Sequence, residues 1–330
     1  MSLRVTLGLS ALVLLLFAAS LLIGPAALGL SESLSALVRG GAERDAVALV
    51  MQEVRLPRAL LGLMTGAALG LAGAAMQGFL RNPLAEPGLI GTSASAALGA
   101  VIALQTGLAA LHPLALPGAA LLGALISVGL ILAIAGPRGG ALALILAGIA
   151  LSALAGALTS LVLNLSPNPF AAAEIVFWML GSLADRSMLH VAVAAPFVLA
   201  GGAVLLALGR GLDALTLGED AASALGVNLG RLKLLVVLGA AALVGGVTAV
   251  AGAIGFVGLV VPHVLRPFVG ARPSALLPAS ALGGAAMVLM ADIAVRLIAP
   301  DRDLKLGVLT ALIGAPFFLH LIWRLRRQLA

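Results

Sequence analysis

Long apolar segments, interrupted by short stretches that hold most of the charges, are the feature that most restricts how this chain can fold. Of its 330 residues, 62% are hydrophobic and 10% are charged, and the mean hydropathy is +1.20. Soluble domains are about 45–50% apolar. A charged side chain at the centre of a bilayer costs at least about 2.5–3.5 kcal/mol. The chain is therefore predicted to be an integral membrane protein whose charges mark segment ends, interfaces or polar cavities.

The apolar segments are long enough to be membrane-spanning helices. A helix needs about 20 apolar residues to cross a hydrocarbon core of about 30 Å, and the sequence contains about ten such segments. They lack the period-two alternation of barrel strands, which predicts an all-α fold in one transmembrane domain over residues 1–330. The expected spans are 5–30, 57–80, 88–111, 114–136, 141–165, 190–209, 232–252, 254–270, 274–299 and 306–325. The eighth is short, and the glycine-rich stretch 250–258 predicts a broken or half-length helix there.

The basic residues predict the orientation. An even number of spans places both termini on one side, and that side carries the majority of the Lys and Arg residues, which favours the cytoplasm. Trp323, followed by three arginines, is typical of a cytoplasmic anchor. The first apolar run, 5–30, is longer than the core of a secretory signal and shows no small-residue cleavage pattern, so it is predicted to be a retained helix.

Motifs of catalysis and nucleotide binding are absent from the sequence. Its two lysines, Lys233 and Lys305, do not fit a phosphate-cradling GxxxxGK[ST], and neither HExxH nor GxSxG occurs. The four histidines lie on separate segments, and the lack of cysteine excludes disulfides and thiolate metal sites. The basic residues are scattered between apolar segments, which argues against nucleic-acid binding. The chain is predicted not to be an enzyme.

Ion-coupled carriers place carboxylates within the membrane. Asp292 is the one clear candidate inside a span, and Arg296 follows four residues later on the same helix face. A structural ion pair is favoured over a proton relay. An ATP-independent secondary transporter or channel therefore loses its expected coupling group, and it stays open as the alternative of a different class.

Small residues recur inside the spans, as in TGAALG at 65–70 and GAAALVGG at 239–246. Lipid tails give helices no hydrophobic reason to associate, and small residues let helix backbones approach closely. The pattern predicts a tightly packed helical body.

Five stretches between residues 55 and 318 resemble one family. They read RLPR at 55–58, GAAMQGFLRNPLAEPGLIG at 73–91, LGEDAASALG at 217–226, GAIGFVGLVVPH at 252–263 and GVLTALIGAPFF at 307–318. In this order they are similar to the FecCD-type permeases, the membrane subunits of type II ABC importers for iron siderophores, haem and cobalamin. The resemblance implies a ten-helix homodimer in a bacterial inner membrane, with its pathway on the two-fold axis, two cytoplasmic ATPase subunits and a periplasmic binding protein.

The segment 212–233 contains a polar, helix-like run on the predicted inner side. Gly218 precedes two acids that suit the first turn of a helix, and Gly226 permits a sharp exit. By composition alone a plain cytosolic loop is an equal alternative. The missing Walker motif favours a docking site for an ATPase, because the energy must then come from another chain. The resemblance implies docking through Leu217, Gly218, Glu219, Asp220, Ala221, Ala222, Leu225 and Gly226.

The loop 81–88 joins the second and third spans, and its two prolines fix an irregular backbone that cannot face lipid. The resemblance implies a cytoplasmic gate in which Asn82, Pro83 and Leu84 narrow the exit, with a second constriction at Ala141 and Leu142. The stretch 139–142 lacks the hydroxyl residues of some relatives, which leaves the chemistry of the second constriction open.

Three arginines on the predicted outer side, Arg55, Arg58 and Arg296, are similar to those with which the family's permeases bind acidic residues of the binding protein. Interfacial snorkelling is the alternative for each of them.

The cargo is predicted to be haem, ahead of a siderophore and then cobalamin. The stretches 168–186 and 303–307 look most like the haem-type members of the family. A wide apolar pathway lets a large flat molecule pass without being trapped, and it suits a siderophore equally well. No covalently bound cofactor is expected, and ATP is consumed by the partner subunit.

Overall fold

The computed structural model describes residues 2–24, 29–38, 45–136, 140–166, 169–299 and 304–329, with side chains throughout except at 30, 89, 169–171 and 324–329. Helices joined by short turns make up this part of the chain, and no β-strand occurs in it. The helices are α1 (Leu3–Leu22), α2 (Leu30–Ala36), α3 (Ala46–Leu80), α4 (Thr92–Gln105), α5 (Leu108–Leu111), α6 (Ala115–Ala135), α7 (Ala141–Asn164), α8 (Pro169–Met179), α9 (Met188–Ala207), α10 (Gly209–Leu215), α11 (Glu219–Ala224), α12 (Leu229–Ala251), α13 (Val257–Val269), α14 (Pro273–Ile298) and α15 (Leu306–Leu329).

Eight of these helices are long and apolar enough to cross a membrane, namely α1, α3, α6, α7, α9, α12, α14 and α15. Two shorter apolar helices, α4 and α13, occupy the places of the third and eighth predicted spans. Together they give the expected number of membrane segments, and the prediction of a broken segment at 254–270 is confirmed by the 13-residue α13.

The predicted third span, 88–111, is wrong as a single helix. The first residues of this stretch form a 3₁₀ turn at Pro87–Ile90, and the helix that follows, α4, is only 14 residues long. Gly91 and Gly107 adopt φ values of +67° and +75°, outside the helical range, and they separate α4 from its neighbours on both sides. The prediction missed these breaks because it relied on apolar composition, which does not reveal backbone conformation.

Two further boundaries differ from the prediction. The first helix ends at Leu22, and the second extends back to Ala46 through a π-helical turn at Val50–Arg55. Asp45 caps this longer helix, because its Oδ1 accepts a hydrogen bond from the amide of Ala48 at 2.8 Å. Helix α8 was not predicted at all.

Helices α3, α12 and α14 form the centre of the body, whereas α1, α7, α9 and α15 expose most of their surface. Gly66 and Gly70 of α3 lie so close to α14 that a Cβ on either would collide with a main-chain oxygen of Gly284 or Ser280. This contact confirms the prediction drawn from the small residues at 65–70.

Candidate functional site

The coupling segment, residues 212–233, has the predicted helix start and exit. Gly218, with φ +107°, directly precedes α11, and Glu219 and Asp220 form the first turn of that helix. Gly226 leaves it with φ +84°. Asn228 then caps α12, since its Oδ1 accepts a hydrogen bond from the amide of Arg231 at 2.8 Å.

The surface of the coupling segment combines apolar and acidic groups. Leu217 and Leu225 are 69% and 65% exposed, and Glu219 and Asp220 are exposed between them. Ala222, in contrast, is fully buried and anchors α11 to the body. Large apolar side chains next to exposed acids suit a surface that another protein covers.

Asp213 fastens the coupling segment to α14. Its carboxylate accepts hydrogen bonds from the amide and the hydroxyl of Ser274, at 2.8 and 2.5 Å. The N-cap residue of α14, Arg272, provides no side-chain cap, so Asp213 supplies it from a neighbouring helix. Sequence reasoning missed this residue, because the two partners lie 61 positions apart.

A cavity of about 670 Å³ lies beside the coupling segment. Three arginines, residues 81, 266 and 272, line it together with Asp213, Pro83, Leu217 and Leu225. Arg81 also approaches Glu219, at 3.8 Å. The predicted gate and the predicted ATPase-docking surface therefore share one basic cavity.

The gate loop, residues 81–91, begins directly after α3 at Arg81, which adopts φ +49°. Asn82 is exposed and its Oδ1 accepts a hydrogen bond from the amide of Leu84 at 2.9 Å, which fixes the turn around Pro83. Leu84 is half-buried. The three predicted gate residues therefore lie together in one compact turn.

The second predicted constriction lies on another element. Ala141 is the first residue of α7 and packs against the main core, whereas Leu142 is 69% exposed on the surface of the single chain. Gly139, which the prediction also included, lies outside the described residues.

The break between α12 and α13, residues 252–256, is bonded to a carboxyl group of the gate loop that sequence reasoning did not single out. Glu86 of the gate loop accepts a hydrogen bond from the amide of Phe256 at 2.7 Å. Phe256 is the N-cap residue of α13 and adopts φ +67°. An acid between two prolines, in a loop that cannot face lipid, is the signal that could have identified it.

The first turn of α13 is also held by α3. Gln77 is buried, and its Nε2 lies 3.4 Å from the carbonyl oxygens of Gly258 and Leu259. Its Oε1 accepts a hydrogen bond from Arg266 at 2.9 Å. Gln77 therefore joins the last turn of α13 to its start, and sequence reasoning missed it as well.

The predicted binding-protein arginines bond to groups within the chain. Arg55 is 4% exposed and donates to the carbonyl oxygens of Leu21 and Leu22 at 3.0 and 2.8 Å. Arg296 is 9% exposed and donates to the Ser20 carbonyl oxygen at 2.8 Å. Both guanidinium groups therefore cap carbonyl oxygens at the end of α1, and docking of a binding protein to them stays a prediction.

Arg58 and Arg296 share one carboxylate. Asp292 is 1% exposed and lies 2.8 Å from the Nη2 of Arg58 and 2.9 Å from that of Arg296. The predicted ion pair between Asp292 and Arg296 is thus confirmed, with Arg58 as an additional partner. The Arg58 side chain is 19% exposed.

A second cavity, of about 650 Å³, is almost entirely apolar and lies where the break meets the end of α8 and the start of α15. Its lining includes Met179, Leu180, Ala253, Phe256, Gly307 and Leu312. Nearby, the Nζ of Lys305 lies 5.4 Å from the centre of the Phe177 ring. Within the described part of the chain, no three His, Asp or Glu side chains are grouped to hold a metal ion.

The family model described as the FecCD transport family matches residues 12–324. The chain belongs to this family. FecCD proteins are permease subunits of type II ABC importers, so the chain is a multi-pass membrane component of a transporter and not an enzyme.

Curated relatives match this FecCD protein over most of their length. It is 41% identical to the ferric enterobactin transport system permease protein FepD of Escherichia coli, over 97% of this chain and 95% of FepD. It is 39% identical to the hemin transport system permease protein HmuU of Yersinia pestis, over 86% of each chain. It is 41% identical to the cobalamin import system permease protein BtuC of Halobacterium salinarum, over 83% of this chain and 73% of the relative.

A solved structure also matches nearly the whole chain. It is a metal-chelate type ABC transporter in an inward-facing conformation, 33% identical to this FecCD protein, with a TM-score of 0.87 over 98% of this chain and 100% of the other. The predicted type II permease fold is confirmed.

Proposed function

We propose that this FecCD protein is the membrane subunit of an ATP-driven importer that moves haem from a periplasmic binding protein to the cytoplasm. In this proposal two copies form a homodimer in a bacterial inner membrane, with both termini in the cytoplasm. Two ATPase subunits bind the coupling segments, and the pathway runs between the two copies. The transported haem is cargo, and the permease holds no cofactor of its own.

The exposed coupling segment carries the ATP-driven part of the proposal. Its acids and leucines are exposed on the end of the molecule that also holds Arg81, Arg266 and Arg272. The positive-inside rule predicts that this end faces the cytoplasm. Because the sequence contains no Walker motif, a separate subunit hydrolyses ATP in this proposal, and the exposed coupling segment is the surface that it binds. Its closeness to Pro83 in one cavity gives the motor a short mechanical path to the gate loop.

The apolar cavity supports a large, flat cargo. Its lining offers alkyl and aromatic surface, and the neighbouring Lys305 and Phe177 combine a cation with an exposed ring. Haem presents an apolar macrocycle with two carboxylates, which suits this combination. The relatives named above transport ferric enterobactin, hemin and cobalamin according to their names, at similar identity, so the choice of haem rests on residues 168–186 and 303–307.

Reconstitution tests both parts. The permease is placed in liposomes with its ATPase, and a binding protein loaded with haem, ferric enterobactin or cobalamin is added outside. We expect ATP-dependent accumulation of haem. Uptake of another cargo but not of haem would show that the cargo is wrong. Uptake without any ATPase would instead support the alternative, an ATP-independent carrier or channel.

A further inference from the structure

Two apolar helices are too short to cross the hydrocarbon core of a membrane. At about 1.5 Å per residue, the 13 residues of α13 and the 14 residues of α4 extend about 20 Å, against a hydrocarbon core of about 30 Å. The gate loop precedes α4, and the break at 252–256 precedes α13. Irregular backbone that lies within the hydrocarbon core must satisfy its polar groups within the protein.

One hydrogen bond joins these two irregular segments. Glu86 of the gate loop accepts from the amide of Phe256 at 2.7 Å. This amide belongs to the N-cap residue of α13 and has no acceptor within the helix, and an acid at a helix N-terminus is favourable. Phe256 also adopts φ +67°, which a bulky residue rarely does unless its surroundings hold it. The Glu86 carboxyl is one of the groups that hold it.

Packing around this bond extends in both directions. Pro87 lies against α13, since a Cβ at Gly258 would come within 2.6 Å of its Cδ. On the other side, the Phe256 ring fills the space where a side chain at Gly314 of α15 would stand. Phe256 also lines the apolar cavity. A displacement of the gate loop therefore has a direct route, through Glu86 and Phe256, to the wall of that cavity.

We propose that Glu86 is a positioning residue that ties the gate loop to the break, so that the gate loop and the apolar cavity change shape together. This inference rests on the proposed function for its role in transport. The tie itself is a property of the single chain, so it can be measured without the ATPase, the binding protein or a cargo.

The test separates the geometry of the side chain from its charge. Glu86→Asp keeps the carboxyl but withdraws it by one methylene from the Phe256 amide, whereas Glu86→Gln keeps the length and an acceptor oxygen. Hydrogen exchange is measured on the full permease in lipid nanodiscs. We expect Glu86→Asp to speed exchange over residues 253–258 by roughly tenfold or more, and Glu86→Gln to stay within about twofold of the parent. The control is Glu174→Asp, at an exposed acid of α8.

The same variants are then examined in the complex with the ATPase. Because the chain contains no cysteine, Gly88→Cys and Ala253→Cys give single reporters in the gate loop and in the break. Nucleotide is expected to change the labelling rate of both reporters in the parent. With Glu86→Asp, the Gly88→Cys reporter still responds, and the response of the Ala253→Cys reporter falls by about tenfold.

Two results would overturn the inference: exchange over 253–258 that is unchanged in Glu86→Asp, or Glu86→Gln that is as disturbed as Glu86→Asp. A failure of the proposed function has a different signature. In that case neither reporter responds to nucleotide in the parent, while the exchange measurement on the isolated permease still decides the role of Glu86.

Discussion

Acidic residues occupy two opposite settings along α3, one next to Arg81 after its C-terminal residue and one next to Arg58 in its N-terminal half. At the coupling end, Glu219 and Asp220 are exposed, and the ion pair of Glu219 with Arg81 spans 3.8 Å. Beside Arg58, in contrast, Asp292 is 1% exposed and is bonded to two arginines at 2.8 and 2.9 Å. In the sequence Asp292 lies inside a predicted span, whereas Glu219 and Asp220 lie in a polar run between two spans. The difference shows that internal bonding, and not charge alone, separates a surface left for a partner from a part of the fold.

The arginines follow the same rule. Arg55 and Arg296 resemble docking residues in the sequence, yet the structure uses both to cap the end of α1. Helix α1 is otherwise among the least buried of the spanning helices. The cluster of Arg55, Arg58, Asp292 and Arg296 therefore fastens a peripheral helix to the centre of the protein.

The strongest test of this contrast is Asp292→Ala. It leaves two guanidinium groups without their shared carboxylate, and breaking a buried ion pair from one side costs about 3–5 kcal/mol. We expect a large loss of folded protein, measured as the yield of monodisperse permease in detergent and as its melting temperature. Asp220→Ala at the coupling end is the matched control and should leave both values unchanged. Equal behaviour of the two variants would contradict the contrast.

A smaller effect is expected from Arg55→Met, which keeps much of the apolar stem but removes the bonds to Leu21 and Leu22. Hydrogen bonds from a charged donor contribute about 1.5–3 kcal/mol, so α1 should be held less firmly by about 2 kcal/mol. Hydrogen exchange over residues 19–23 measures this. Arg210→Met, at an exposed arginine of α10, is the control. Unchanged exchange at the end of α1 would show that Arg55 does not hold it.

Much of the fold could be predicted because it depends on local composition. Apolar runs and the charges at their ends identified the membrane segments, and the small residues at 65–70 predicted close helix packing without indicating that the partner is α14. The half-length α13 was also predicted, from the glycines at 250–258. The third span was wrong, because Gly91 and Gly107 interrupt the helix by their backbone conformation while the composition stays apolar.

The candidate site could be predicted where its parts are adjacent in sequence. The start and exit of α11 follow from Gly218, its two acids and Gly226. The bond of Glu86 to Phe256 joins residues 170 positions apart, and that of Gln77 to Arg266 joins residues 189 apart. A single sequence contains no signal for such pairs.

Asp213→Ala tests a bond that is intermediate in strength between those of the exposed Glu219 and the buried Asp292. Its carboxylate caps α14 through Ser274 and is half-buried. Loss of an N-cap costs about 1 kcal/mol, so we expect a modest fall in the melting temperature and faster exchange of the first amides of α14. Ser274→Ala removes only the hydroxyl bond and should have the smaller effect. The reverse order would show that the hydroxyl, and not the capped amide, holds the coupling segment in place.

The smallest effect on stability, and the most specific effect on assembly, is expected from reversing both acids of α11. Glu219→Lys with Asp220→Lys changes exposed side chains, so the free energy of unfolding should shift by no more than about 0.5 kcal/mol. The same change should weaken binding of the ATPase by at least about tenfold, because like charges at an interface cost more than 1.4 kcal/mol. Co-purification and titration with the ATPase measure it, with Glu174→Lys as the control at an exposed acid outside the coupling segment. A normal affinity in the double variant would mean that the exposed acids are not a docking surface, and the contrast with the buried Asp292 would then concern folding alone.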